Sequence, residues 1–131
     1  MNEAYIHHTG ISVSDIEKSL KWYSCYFNTS LVKTFEKKEF QIKGALVKIG
    51  NGFLELIQPD NPVSSLYTGN IIPNSLQPLR TNHIALSIAD VVKAFNKFKE
   101  EGMTISALID NRFFFCRDPD GTLIEVRQIE N

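Results

Sequence analysis

The sequence predicts an α+β fold in which one β-α-β-β-β unit is written twice, and three observations carry that prediction. His8-Thr9-Gly10-Ile11-Ser12-Val13-Ser14-Asp15 returns in altered form as His83-Ile84-Ala85-Leu86-Ser87-Ile88-Ala89-Asp90. In both copies a histidine opens a short alternating run, and an aspartate seven residues later opens an amphipathic helix. Each copy also ends in a strand-like run with a central glutamate, Phe53-Leu54-Glu55-Leu56-Ile57-Gln58 and Leu123-Ile124-Glu125-Val126-Arg127-Gln128.

The bulk properties fit one such domain. At 131 residues the chain is long enough to bury a single sizeable core. The formal charge of -1 offers no basic surface for nucleic acid or an anionic membrane. Cys25 and Cys116 stand far apart, with no CxxC pair, which argues against a disulfide framework or a zinc ribbon. The N-terminus has no basic segment leading into an apolar core, and no run reaches membrane-spanning length, so a cytoplasmic, reduced protein is expected. The predicted organisation is one domain over 1–131, with modules 4–58 and 80–129 joined by a linker or lid over 59–79.

In chain order, Tyr5 to Val13 alternates as a strand does. His8, Gly10 and Ser12 share one face, and Thr9, Ile11 and Val13 the other. The first set is small apart from its imidazole and leaves room for a ligand; the second should pack on a helix. Ser14 and Glu17 have capping-box spacing, with Asp15 also placed to favour the positive helix end. Ile16, Leu20, Tyr23 and Phe27 then form a core-facing stripe, and Asn28 suits a left-handed C-cap. Leu31 to Phe40 and Ile42 to Ile49 read as strands, with Glu36-Lys37-Lys38-Glu39 near a turn or an exposed edge. Gly50-Asn51-Gly52 is a turn signal leading into the Glu55 strand.

Residues 59–79 carry four of the five prolines and fit no regular element, which suggests a functional connection or an ordered crossover with a short helix near Ser64 to Tyr67. The second module then repeats the first. His83, Ala85 and Ser87 share a strand face, Asp90 is the N-cap, Val91, Phe95 and Phe98 form the helical stripe, and Gly102 is the C-cap. Thr104 to Ile109 and Arg112 to Cys116 read as strands. Asp118-Pro119-Asp120-Gly121 is a turn, and Thr122 to Gln128 is the last strand.

A strand histidine taken singly is more often a hydrogen-bonded structural residue than a ligand. Here, however, two histidines and two glutamates stand at matching places, and both glutamates lie inside apolar runs where a carboxylate needs a partner. Imidazole with carboxylate suits Ni, Zn, Co, Mn or Fe. His7 competes with His8, but neighbouring strand residues point to opposite faces. Alignment of the repeat favours His8, because Gly10 and Ala85 each stand two residues after the histidine.

His8-Thr9-Gly10-Ile11-Ser12-Val13 with Asp15 and Trp22-Tyr23, the Glu55 strand, His83-Ile84-Ala85-Leu86, and Asp118-Pro119-Asp120-Gly121 before Glu125 together resemble the vicinal oxygen chelate superfamily, and within it glyoxalase I most closely. The resemblance covers nearly the whole chain outside 59–79. It implies two βαβββ modules forming a cupped, mostly antiparallel sheet around a metal site held by His8, Glu55, His83 and Glu125. It implies a divalent-metal-dependent lyase or isomerase of the glyoxalase I (lactoylglutathione lyase) type. Such an enzyme acts on a hemithioacetal or similar α-hydroxycarbonyl through an enediolate, with Glu125 as the base and Glu55 in alternation. Phe53, Ile57, Leu123, Phe113 and Phe115 would line the substrate pocket, with core packing as their plain alternative. A homodimer is expected, with the modules paired within one chain or between two.

Two departures bear on the thiol cofactor. Ser12 stands where glutathione-dependent glyoxalases carry an arginine, and Pro59 stands where an asparagine is common. The metal site is therefore carried over and the glutathione site is not. The competing readings are a methylmalonyl-CoA-epimerase-like isomerase and a non-catalytic, bleomycin-resistance-like binding protein.

Overall fold

The computed structural model describes residues 1–64, 71, 76 and 81–130. The chain divides into two compact units, Met1–Ser64 and Ser65–Asn131, with the boundary inside the 59–79 segment. Most of that segment, including the expected helix near Ser64 to Tyr67, lies outside the described residues. Among the described residues no helix is long and apolar enough to cross a membrane.

The first unit runs β1 (Thr9–Ser12), α1 (Ile16–Phe27), β2 (Ser30–Lys37), β3 (Ile42–Ile49) and β4 (Gly52–Pro59), the predicted order. Its sheet is ordered β1-β4-β3-β2, with β1 parallel to β4 and the other neighbours antiparallel. Strand β4 is thus interior and reads as a half-buried strand should. Leu54 and Leu56 are buried with Ala45, Val47, Ile11, Val13 and the α1 residue Tyr23. Phe53, Glu55 and Ile57 alternate onto the opposite, partly open face. A one-residue slip would exchange the two sets and lose roughly 1.5–3 kcal/mol for each apolar side chain exposed, so this pattern fixes the register. Gly50 at φ 55 closes the β3–β4 hairpin as the turn signal predicts.

Three boundaries differ from expectation. Tyr5 to His8 do not join the sheet; β1 begins only at Thr9, and Tyr5 and Ile6 are exposed. The N-cap of α1 is Asp15, one residue after Ser14, and its Oδ1 accepts from the Lys18 N–H at 3.2 Å. Strand β2 ends at Lys37, because Lys38–Phe40 turn as a 3-10 helix before Gln41 takes a left-handed conformation. The charged run nevertheless lies at the exposed edge, and Asn28 is the left-handed C-cap of α1.

The second unit contains β5 (Ile84–Ile88), α2 (Val91–Glu100), β6 (Phe113–Arg117) and β7 (Leu123–Gln128). The sheet order is β5-β7-β6, with β5 parallel and β6 antiparallel to the interior strand β7. Ile124, Val126, Phe114 and Cys116 are fully buried, and Phe95 and Phe98 of α2 meet Phe114 edge-on, each with ring centroids 5.5 Å away. Asp90 caps α2 by accepting from the Lys93 N–H at 3.0 Å, and Gly102 follows the helix at φ 74.

The strand expected over Thr104 to Ile109 does not form. Only isolated bridges pair Ile105 with Cys116 and Ile109 with Phe113. The reason is local: Ser106 Oγ accepts the Phe115 N–H at 2.8 Å, replacing a strand carbonyl, and Asp110 and Asn111 turn the chain at positive φ. A hydroxyl that satisfies the backbone competes with the ladder in this way.

Candidate metal centre

Each unit places one histidine beside one glutamate by the same construction. The parallel pairing of β1 with β4 sets Gly10 opposite Glu55, and that of β5 with β7 sets Ala85 opposite Glu125. The histidine stands two residues ahead of the small residue in each case. His8 Nε2 lies 3.5 Å from Glu55 Oε2, and His83 Nε2 lies 3.5 Å from Glu125 Oε1. Both separations exceed the roughly 2.7–2.9 Å of a charge-assisted hydrogen bond, so nitrogen and oxygen converge without closing on each other. Among the described residues neither pair has a third His, Cys, Asp or Glu grouped with it to hold a metal ion. Each unit thus presents a two-donor pair of borderline nitrogen and hard oxygen, donor types that fit a divalent transition metal.

The surroundings of the two half-sites differ. Glu125 is only 12% exposed, and its Oε2 accepts from Arg127 Nη1 at 2.8 Å. Arg127 also reaches Glu130 at 3.3 Å, and its guanidinium lies 5.7 Å from the centre of the Phe113 ring. The bond and charge of Glu125, and then of Glu130, raise the Arg127 pKa above its ordinary value. Glu55 is 24% exposed, and among the described residues its carboxylate meets His8 alone. Ile57 stands where Arg127 does in the other unit: Ile57 pairs with Ser12, and Arg127 with Ser87.

The histidines are held from their far side. His7 Nδ1 and His8 Nδ1 are 2.8 Å apart, and Asn82 Oδ1 lies 2.8 Å from His83 Nδ1. Residues 7 and 8 precede the regular strand, so His7 is not turned to the opposite face. Its ring stacks on Phe53 with centroids 5.7 Å apart.

The predicted pocket residues fall into two groups. Phe53 and Ile57 remain partly open beside Glu55, with Ser12 exposed. Phe115 and Leu123 are buried in a cluster with Ile71 of the connecting segment, and Phe113 packs against it. Phe115 also meets His83 edge-on at 5.2 Å. Before β7, buried Asp118 shapes the turn by accepting from the Asp120 and Thr122 N–H groups, each at 2.9 Å.

Sequence reasoning did not find His7 as a partner of His8, nor Asn82, Arg127, Gln58 or Gln128. Gln58 Oε1 accepts the first helical N–H of α1 (Ile16) and Gln128 Oε1 that of α2 (Val91), each at 3.0 Å. A signal existed for the glutamines, which stand three residues after each glutamate. Carrying the repeat one residue further back, to positions 7 and 82, would have brought up the histidine partners.

A family model described as the Glyoxalase/Bleomycin resistance protein/Dioxygenase superfamily matches residues 5–126. A probable lactoylglutathione lyase from Vibrio parahaemolyticus is 25% identical over 134 residues, covering 98% of this chain and 93% of that protein. The trypanothione-dependent glyoxalase I of Leishmania major matches with a TM-score of 0.78 at 21% identity, over 96% of this chain and 87% of that one. The fosfomycin resistance protein FosX of Listeria monocytogenes matches with a TM-score of 0.68 at 21% identity, over 97% and 93%. At these identities the two structures establish likeness of fold.

Proposed function

The chain belongs to the Glyoxalase/Bleomycin resistance protein/Dioxygenase superfamily, and from that premise we propose that it is a divalent-metal-dependent isomerase of the glyoxalase I type. The observation that carries this reading is the duplicated half-site, with Nε2 and a carboxylate oxygen 3.5 Å apart at equivalent strand positions in both units. His8, Glu55, His83 and Glu125 would hold one ion, two donors from each unit, drawn from one chain or from two in a homodimer. The second glutamate favours this reading over chemistry that needs two histidines and one glutamate.

The substrate is a hemithioacetal or a similar α-hydroxycarbonyl. A bound divalent ion supplies Lewis-acid polarisation of the substrate oxygens and so acidifies the adjacent C–H. Glu125 takes that proton on its carboxylate and returns it to the neighbouring carbon. One C–H bond breaks and another forms while the hydroxyl proton passes to the neighbouring carbonyl oxygen, so the reaction is redox-neutral overall. The resemblance assigns the base to Glu125, and Arg127 fixes that carboxylate's orientation by donating to Oε2 and leaving Oε1 toward His83. Phe53 and Ile57 give the reacting carbons an apolar wall. Ser12 removes the cation expected for a glutathione carboxylate, so the thiol is left open.

Glu125→Gln in metal-loaded protein should lower isomerisation of a 2-oxoaldehyde–thiol hemithioacetal by about 10²- to 10⁴-fold with the fold retained. Undiminished turnover would overturn the base assignment. Activity on an acyl-CoA thioester in place of the hemithioacetal would favour an epimerase. A protein that binds no divalent ion would favour a ligand-sequestering role.

A further inference from the structure

We propose that His7 and Asn82 are positioning residues that set the tautomer of the adjacent ligand histidine, a duplicated outer shell that makes Nε2 the metal-facing nitrogen in both units. The inference rests on the metal-site reading above. Its evidence is that the residue immediately before each ligand histidine meets that ring's Nδ1 at 2.8 Å, once through imidazole and once through amide oxygen. Two different side chains thus do the same thing at equivalent places in the repeat.

The chemistry is asymmetric. An amide oxygen only accepts, so His83 must donate from Nδ1, and a neutral ring then keeps its lone pair on Nε2, the atom facing Glu125. In the first unit either ring nitrogen can donate. His8 presents an Nε2 lone pair toward Glu55 only when it donates from Nδ1 and His7 accepts, with the His7 proton on its own Nε2. The stacking of His7 on Phe53 keeps the ring in place for that bond. Hydrogen bonding to the far nitrogen of a ligating imidazole orients the ring, fixes the tautomer and makes it a better donor. His7 can do this although it directly precedes His8, because both residues lie outside the regular strand.

The test uses the full-length protein and four variants: His7→Leu, Asn82→Leu, His7→Asn and Asn82→His. Long-range proton–nitrogen NMR on the metal-free protein at about pH 8.5, where an ordinary imidazole is neutral, reads the tautomers directly. Wild type should show His83 with its proton on Nδ1, and Asn82→Leu should lose that preference. Calorimetric titration with zinc(II) or nickel(II) alone should show affinity about 10- to 100-fold weaker in each leucine variant. His7→Asn, which copies the second unit's device into the first, should bind nearly as wild type does, as should Asn82→His. His83 with its proton on Nε2 in wild type, or leucine variants that bind metal as wild type does, would overturn the inference. If wild type takes up neither metal, the metal-site reading fails, and the tautomer measurement still decides the positioning role.

Discussion

The glutamines at the ends of β4 and β7 give the sharpest quantitative test of how the two units are built. Each accepts the first backbone N–H of the helix in its own module, one of the donors that a helix leaves without an intrahelical partner. Gln58 does so with one bond, Oε1 to the Ile16 N–H at 3.0 Å. Gln128 makes the same bond to Val91 and adds a second, donating from Nε2 to the Ala89 carbonyl at 2.6 Å. Methionine at either position keeps the length and shape of the side chain but can make neither bond. With a net worth of about 0.5–1.5 kcal/mol per bond, Gln58→Met should cost about 1 kcal/mol and Gln128→Met about 2 kcal/mol. The second value should sit toward the upper end, because Val91 is fully buried and its N–H has little recourse to water. The two sites share no partner, so the double variant should lose about 3 kcal/mol if the chain unfolds in one transition. Urea denaturation followed by far-ultraviolet circular dichroism measures all three. Equal losses in the two single variants, or none in Gln128→Met, would refute the anchoring role.

Other predictions concern buried polar groups and the half-site asymmetry. Burial first, and then the Asp118 charge, push the Cys116 thiol from 9.0 up to about 12. The unfolded chain therefore releases this proton above about pH 9 while the folded chain keeps it. Stability should fall by about 1.4 kcal/mol per pH unit from this group between the two values. Denaturation curves at pH 8 to 11 should be visibly flatter against pH in Cys116→Ala, and parallel profiles would contradict this. Ser19 Oγ is buried in α1 with no partner among the described residues, so Ser19→Ala should leave stability unchanged or raise it by up to about 1 kcal/mol; a clear loss in thermal melting would show a hidden partner. Combining Arg127→Met with Glu125→Gln should be non-additive in metal affinity, whereas combining it with Glu55→Gln should be additive, because Arg127 is bonded to Glu125 and not to Glu55. Additivity in both pairs would deny Arg127 any hold on the half-site.

The repeat made the architecture legible because its signals are local. An aspartate before an apolar stripe is an N-cap wherever it stands, and Asp15 and Asp90 both act as one. The alternation places Glu55 on the face away from buried Leu54 and Leu56, and Glu125 on the face away from buried Ile124 and Val126, although buried Leu123 shares the Glu125 face. The misreadings arose where the backbone leaves its ideal form. Treating Tyr5 to Val13 as one strand sent His7 to the wrong face, since two-residue alternation holds only where the ladder does. Thr104 to Ile109 has strand composition, but the Ser106 hydroxyl takes the Phe115 amide that an edge strand would have needed. Arg127 and Asn82 were invisible for a different reason. Their importance lies in which atom they touch, and that is settled by cross-strand register and ring orientation.

The two half-sites are therefore equal in their donors and unequal in everything that meets those donors next. What recurs is what surrounds the His–Glu pairs: the aspartate cap, the glutamine anchor, the small residue opposite the glutamate, and the neighbour on Nδ1. What differs lies beside the carboxylates, with Phe53 and Ile57 in one unit and Leu123 and Arg127 in the other. A metal needs the first set alike, because its demand is for nitrogen and oxygen in fixed orientations. A proton moved between adjacent carbons has no such symmetry, since one carboxylate must act at a defined place while the other holds the ion. Arg127 breaks the equivalence in that sense: it commits one oxygen of Glu125 and leaves Glu55 with His8 alone. Duplication accounts for the two His–Glu pairs, and the difference between the two glutamates comes from the residues that the repeat did not copy.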